Sequence, residues 1–215
     1  MRGIWIGLAL ALVSGPAMAQ TQQQHDWCFS PTATDDQTID GCTALIGSGR
    51  QTTVGQAAAY DARAFAYDNK GLYDQVIADE NQSLALNPNS ANAYNDRGSA
   101  YYHKGLYDQA IADFTRSIGL KPDTAGAYNN NGNAFAYSNR GDAYRLKGLY
   151  DQAIVDYSQS IALKADFTQA YTGRAAAYEN KGLRDQAVAD YRAALKIDPT
   201  SQRAKDGLTH LGATP

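Results

Sequence analysis

Residues able to serve as metal ligands, nucleophiles or proton carriers are few and scattered. His25, His103 and His210 stand far apart, and thirteen residues separate Cys28 from Cys42. Soft-metal sites draw on Cys or His paired at short spacings, so no metal is expected. His103 has Tyr101 and Tyr102 beside it, yet no carboxylate or nucleophile is placed to work with it, and it reads as a surface histidine. The sequence holds no phosphate-binding glycine loop, dinucleotide fingerprint, serine-hydrolase elbow or zinc HExxH helix. Asn81-Gln82-Ser83 matches a glycosylation acceptor but falls within a helical pattern, and is read as chance. Neither an enzyme nor a cofactor is expected.

One charged pattern does recur. Arg63, Arg97, Arg140 and Arg174 are each followed sixteen residues later by an aspartate, at Asp79, Asp113, Asp156 and Asp190. These arginines could bind a ligand, or they could form a structural charge ladder. The ladder is favoured, because a partly buried arginine is costly without a carboxylate partner.

The elements that carry these residues are copies of one another. The chain has 215 residues with 15 Tyr and 19 Gly, a bias that points to a duplicated motif. Its 19 Lys and Arg against 22 Asp and Glu give a net charge of -3, too little cationic surface to make nucleic acid an expected partner. NKGLYDQVIAD (69–79), HKGLYDQAIAD (103–113), LKGLYDQAIVD (146–156) and NKGLRDQAVAD (180–190) begin 34, 43 and 34 residues apart. Tyrosines seven apart (Tyr60 and Tyr67, Tyr94 and Tyr101, Tyr137 and Tyr144, Tyr171 and Tyr178) mark one face of a first helix. Ala64, Gly98, Gly141 and Ala175 lie between them. Gly71, Gly105, Gly148 and Gly182 suit a helix end needing positive φ. Asp74, Asp108, Asp151 and Asp185 then fit N-caps or first-turn carboxylates of a second helix, which Pro88, Pro122 and Pro199 stop and Ala165 follows in the third unit.

Thirty-four is the period of the tetratricopeptide repeat, and the four segments resemble that family strongly. The resemblance implies an all-α solenoid, a right-handed superhelix of helix-turn-helix units, with repeats at 57–90, 91–124, 134–167 and 168–201. DQTIDGCTALIGSG (36–49) aligns with 108–121 as a degenerate half repeat, placing Cys42 where Phe114 sits. Residues 202–215 supply a solvated capping helix and tail. Residues 125–133 are an insertion, since AYNNNGNAF (127–135) resembles AYSNRGDAY (136–144). Nine residues rotate a helix by about 900°, half a turn out of phase, so a continuous helix would turn Tyr128 and Phe135 away from Tyr137 and Tyr144. Three Asn and a Gly favour a loop there. Loop or overlong helix, the insertion is expected to divide the array into two pairs of repeats.

At the amino end, Met1-Arg2, the apolar run Ile4 to Val13 and Ala17-Met18-Ala19 form a secretory signal pattern with cleavage after Ala19. Ten apolar residues fall short of the roughly 20 needed to span a bilayer. Export to the periplasm or beyond lets Cys28 and Cys42 pair, closing a loop worth about 3 kcal/mol. The bridge would tie a coil in 20–56, with Trp27, over the first full repeat.

The repeat family implies a scaffold that binds protein or peptide in its concave groove. Two alternatives are a small-molecule or glycan binder in the same groove and an accessory subunit of an envelope enzyme or secretion complex. By resemblance, the inward positions of the first helices include Asp61, Phe65, Asp68, Asn92, Asn95, Ser99, Tyr102, His103, Ser138, Asp142, Arg145, Gln169, Thr172 and Glu179. Acidic residues outnumber Arg145 there, whereas family members that clamp a carboxylate tail use Lys, Arg and Asn. A polar or basic partner segment is therefore expected, weakened by salt. Charge reversal at Asp68 or Asp142 should weaken its binding with little effect on melting.

Overall fold

The computed structural model describes residues 16–120 and 126–214. Among these lie eleven helices and no strand: α1 Pro16–Phe29, α2 Asp35–Ser48, α3 Thr53–Asn69, α4 Tyr73–Leu86, α5 Ala91–His103, α6 Tyr107–Leu120, α7 Gly126–Leu146, α8 Tyr150–Leu163, α9 Thr168–Asn180, α10 Arg184–Ile197 and α11 Gln202–His210. Successive helices pair as helix-turn-helix units, each packed on the next, and α11 closes the stack on α10. No helix among the described residues is long and apolar enough to cross a membrane.

In the four full repeats each turn ends the first helix in a Schellman motif. After α3, the Leu72 N–H bonds the Tyr67 carbonyl at 2.9 Å and the Gly71 N–H bonds the Asp68 carbonyl at 2.8 Å. The glycines take φ of 70° to 77°, where a Cβ would be strained. The second helix starts two residues later, so Asp74, Asp151 and Asp185 lie in its first turn while a leucine without a side-chain cap precedes it. These carboxylates face the positive end of the helix. The lysine before the turn glycine also reaches back to the preceding unit: Lys70 to Asp36 at 2.7 Å, Lys104 to Asp74, Lys147 to Asp108 and Lys181 to Asp151. Ala165 costs the third unit nothing, because Lys164 leaves α8 in extended backbone at the equivalent place. Pro122 lies outside the described residues.

The core of a unit is alanine-rich and built around one large side chain from its second helix. Phe114, Tyr157 and Tyr191 fill that place and are buried. A Cβ on Gly98 would come within 3.0 Å of the Phe114 ring, and one on Gly141 within 3.0 Å of Tyr157, so the small position of the first helix provides the clearance. The equivalent residue in the first full unit is Glu80.

Three expectations change. The segment before Cys28 is helix, not coil: α1 packs along α2 as a complete pair, with Cys28 and Cys42 bonded. Gly41 permits it, since a Cβ there would lie 2.6 Å from the Gln24 carbonyl oxygen and 2.8 Å from Trp27 Cβ. The apolar run 4–13 lies outside the described residues. Residues 126–133 are also helical, extending α7 to 21 residues, because packing of the helix outweighs the weak propensity of Asn and Gly. Nor is the array divided: Arg140 Nη1 donates to Thr115 Oγ1 at 2.9 Å across this junction, and Lys147 pairs with Asp108. The phase argument applies to Phe135, which is 41% exposed and rests its edge on Phe167 beneath the Lys164 ammonium; the side chain of Tyr128 is outside the described set.

Candidate functional site: a groove along the first helices

The arginine and aspartate repeats meet inside each unit. Arg97 donates from Nε and Nη2 to the two oxygens of Asp113 at 2.7 and 2.8 Å, and Arg63–Asp79, Arg140–Asp156 and Arg174–Asp190 repeat the fork. Each guanidinium lies between the paired tyrosines, 5.4 and 6.0 Å from the Tyr94 and Tyr101 rings for Arg97. Nη1 reaches the preceding unit, at Thr43, Asn81, Thr115 or Ser158. Burial pushes the Asp156 carboxyl up while Arg140 draws it down. Each arginine is thus engaged within and between units rather than turned to a ligand.

The predicted inward residues divide into two groups. Ser99, Tyr102, His103, Asp142, Arg145 and Gln169 border a cavity of about 230 Å³ between α5, α7 and α9, joined by Phe114, Asn139 and Arg203 of the capping helix. His103 is exposed and stacks on Tyr73 at 4.8 Å. Asp142 is committed to the fold: it accepts from Tyr157 Oη at 2.8 Å and Gln169 Nε2 at 3.2 Å, and lies 3.5 Å from Arg145 Nη2. Burial, with Asp142 alongside, pushes the Tyr157 phenol up, so it remains a donor. Glu179 likewise accepts from Tyr191 Oη at 3.0 Å and contacts the His210 ring. Ser138 and Thr172 are buried and do not border this cavity, while Asn92 is exposed at the start of α5.

The remaining acidic residues gather at the other end. Phe65, Asp68, Asn95 and Ser99 border a second cavity, of about 120 Å³, between α3 and α5 with Asp96 and the apolar Ala64 and Val76. Phe65 is 66% exposed. Asp61 and Glu80 belong to the same corner. Burial raises the Asp61 carboxyl, with Ser83 and Glu80 opposing by hydrogen bonds. Burial, with Asp61, Asp96 and Asp79 nearby and Arg97 opposing, pushes Glu80 up to about 10. Glu80 therefore carries a proton at neutral pH. Sequence reasoning passed over Glu80, although aligning the four copies shows it where Phe114, Tyr157 and Tyr191 stand.

Helix pairs of constant period, stacked around small-residue clearances with a groove along their first helices, define a helical repeat scaffold. Tetratricopeptide-repeat profiles match residues 89–166 and 168–201, together more than half of the sequence, and the chain belongs to the tetratricopeptide-repeat family. The matched spans omit the Glu80 unit. No curated protein sequence matches. Among solved structures, a crystal structure of MamA is 29% identical with a TM-score of 0.65, covering 77% of this chain and 89% of that one. The first repeat domain of Spaghetti (RPAP3), bound to the HSP90 peptide SRMEEVD, is 26% identical with a TM-score of 0.51, covering 57% and 90%. The second domain of human RPAP3, in complex with the HSP70 peptide SGPTIEEVD, is 27% identical with a TM-score of 0.50, covering 58% and 96%.

Proposed function

We propose that this protein is an exported, non-catalytic adaptor that holds a polar or basic segment of a partner polypeptide in the groove along its first helices. The observation that carries the reading is the acidic corner between α3 and α5, where Asp68 and Asp96 border one cavity and Asp68 Oδ1 is buried without a protein donor. The RPAP3 domains are bound to peptides that end in the acidic EEVD. The opposite charge at α3–α5 selects against such tails and for cations. Export is supported by the signal pattern at residues 1–19 and by the Cys28–Cys42 bond, which an oxidising compartment sustains. Anisotropy of a labelled lysine-rich peptide and a glutamate-rich peptide of equal length tests it. The basic peptide should bind, and less tightly as salt rises; equal or stronger binding of the acidic peptide would contradict the reading.

A small polar ligand, such as a glycan, is the second reading, favoured by the cavity that Tyr102, Asn139, Arg145 and Arg203 border. A saturable melting shift with sugars and none with peptides would select it. Copurification at fixed stoichiometry would instead mark an accessory subunit of a larger envelope assembly.

A further inference from the structure

Two buried acceptor atoms on α3 and α5, Asp68 Oδ1 and Asn95 Oδ1, have no protein donor. Later units answer the polar tip at the place of Glu80, Tyr157 Oη by Asp142 and Tyr191 Oη by Glu179. In this unit the aromatic ring is replaced by Glu80, fully buried and protonated, which hydrogen-bonds Asp61. Acceptors withdrawn from water are costly until a donor is supplied.

The cavity above them says which donor fits. Asn95 Nδ2 donates to Asp96 Oδ1 at 3.1 Å, which fixes the amide with its Oδ1 turned the other way. Asp68 and Asn95 border the same cavity from opposite helices, and Ala64, Phe65 and Val76 form apolar wall between them. Apolar walls ending at acceptors match an alkyl stem tipped by a cation. A metal would need several convergent hard ligands, and among the described residues no three Asp, Glu, His or Cys are so placed. A guanidinium favours one planar carboxylate fork, whereas separate acceptors on two helices suit the rotatable donors of an ammonium.

Resting on the reading that the groove holds a basic polypeptide, we propose that the α3–α5 cavity receives a lysine side chain of that partner, methylenes against Phe65 and Val76, ammonium donating to Asp68 and Asn95.

The test is an NMR titration of the isotope-labelled, disulfide-bonded chain with acetyl-Gly-Ser-Lys-Ser-Gly-amide and its norleucine analogue. The lysine peptide should shift amides around Phe65, Asp68 and Asn95, and the norleucine peptide should not. Asp68→Asn should weaken binding about tenfold or more. Phe65→Ser, at an exposed ring whose loss leaves the core intact, should weaken it too. Equal response to norleucine, shifts confined to the Tyr102–Arg145 cavity, or no response would overturn the assignment. If a longer lysine-rich peptide still binds and Asp68→Asn leaves it unchanged, the groove reading stands and the lysine cavity falls. If no basic peptide binds, both fall.

Discussion

At one place in the repeat Phe114, Tyr157 and Tyr191 bury a ring, and Glu80 buries a carboxyl that no protein donor reaches. Its folded-state pKa is raised from the ordinary 4.5 to about 10. A raised acid favours the fold while protonated, so its contribution is fully present below pH 4.5 and is lost as pH climbs towards 10. Between those limits the slope for one proton is about 1.4 kcal/mol per pH unit. Glu80→Gln keeps the shape and removes the titration. Its melting temperature should gain on the wild type steadily from mildly acidic to alkaline pH, and parallel melting curves would show that Glu80 titrates normally. The two groove aspartates also part company. Asp142, holding Tyr157, Gln169 and Arg145, should lower the melting temperature when reversed to lysine, whereas Asp68→Lys should cost the fold little.

Among the elements, two ladders of different strength tie units together. Arg97 forks onto a nearly buried Asp113, and stranding one partner of such a pair costs about 3 kcal/mol, so Arg97→Met should lower chemical stability by that order. Lys104 meets an exposed Asp74, and Lys104→Ala should cost less than about 1 kcal/mol in the same denaturation series. Deleting 125–133 would join Thr124 to Ala134 as Ser90 joins Ala91, and Ser90 Oγ caps α5 through the Ala93 N–H. Helical content and a cooperative melt should survive that deletion; their collapse would make the extension part of the core. Repetition made much of this legible. The Arg–Asp spacing of sixteen, the seven-residue tyrosine pairs and the turn glycines recur because the geometry behind them recurs. Helix α1 was not legible: Gln22, Gln23 and Gln24 show no apolar period, and α1 is defined by its contact with Gly41 and the disulfide. At the Asn-rich start of α7 the sequence left loop and overlong helix both open, because local propensity is a weak prior against docking of the helix behind it.

Over the whole molecule the groove is polarised. Towards α9 its acids are met by Arg145, by the hydroxyls of Tyr157 and Tyr191 and by the His210 ring, with Arg203 added by the cap; towards α3, Asp68 Oδ1 meets no protein donor. Sequence positions named the inward face of the first helices, but not what second helices and the cap place against it, which depends on packing between units. That is why Ser138 and Thr172 turned out buried, and why Glu80 and Arg203 went unnoticed. The most direct measurement is site-specific photocrosslinking of the chain in its native cells, with the reactive group at Phe65 in the groove or at Val155 on a second helix, both 66% exposed, and mass spectrometric mapping of the captured segment. Capture from Phe65 of a polypeptide segment rich in lysine, reduced by salt and absent from Val155, is the predicted result. Capture from Val155 alone, or of acidic segments from Phe65, would contradict a groove that recognises basic chains.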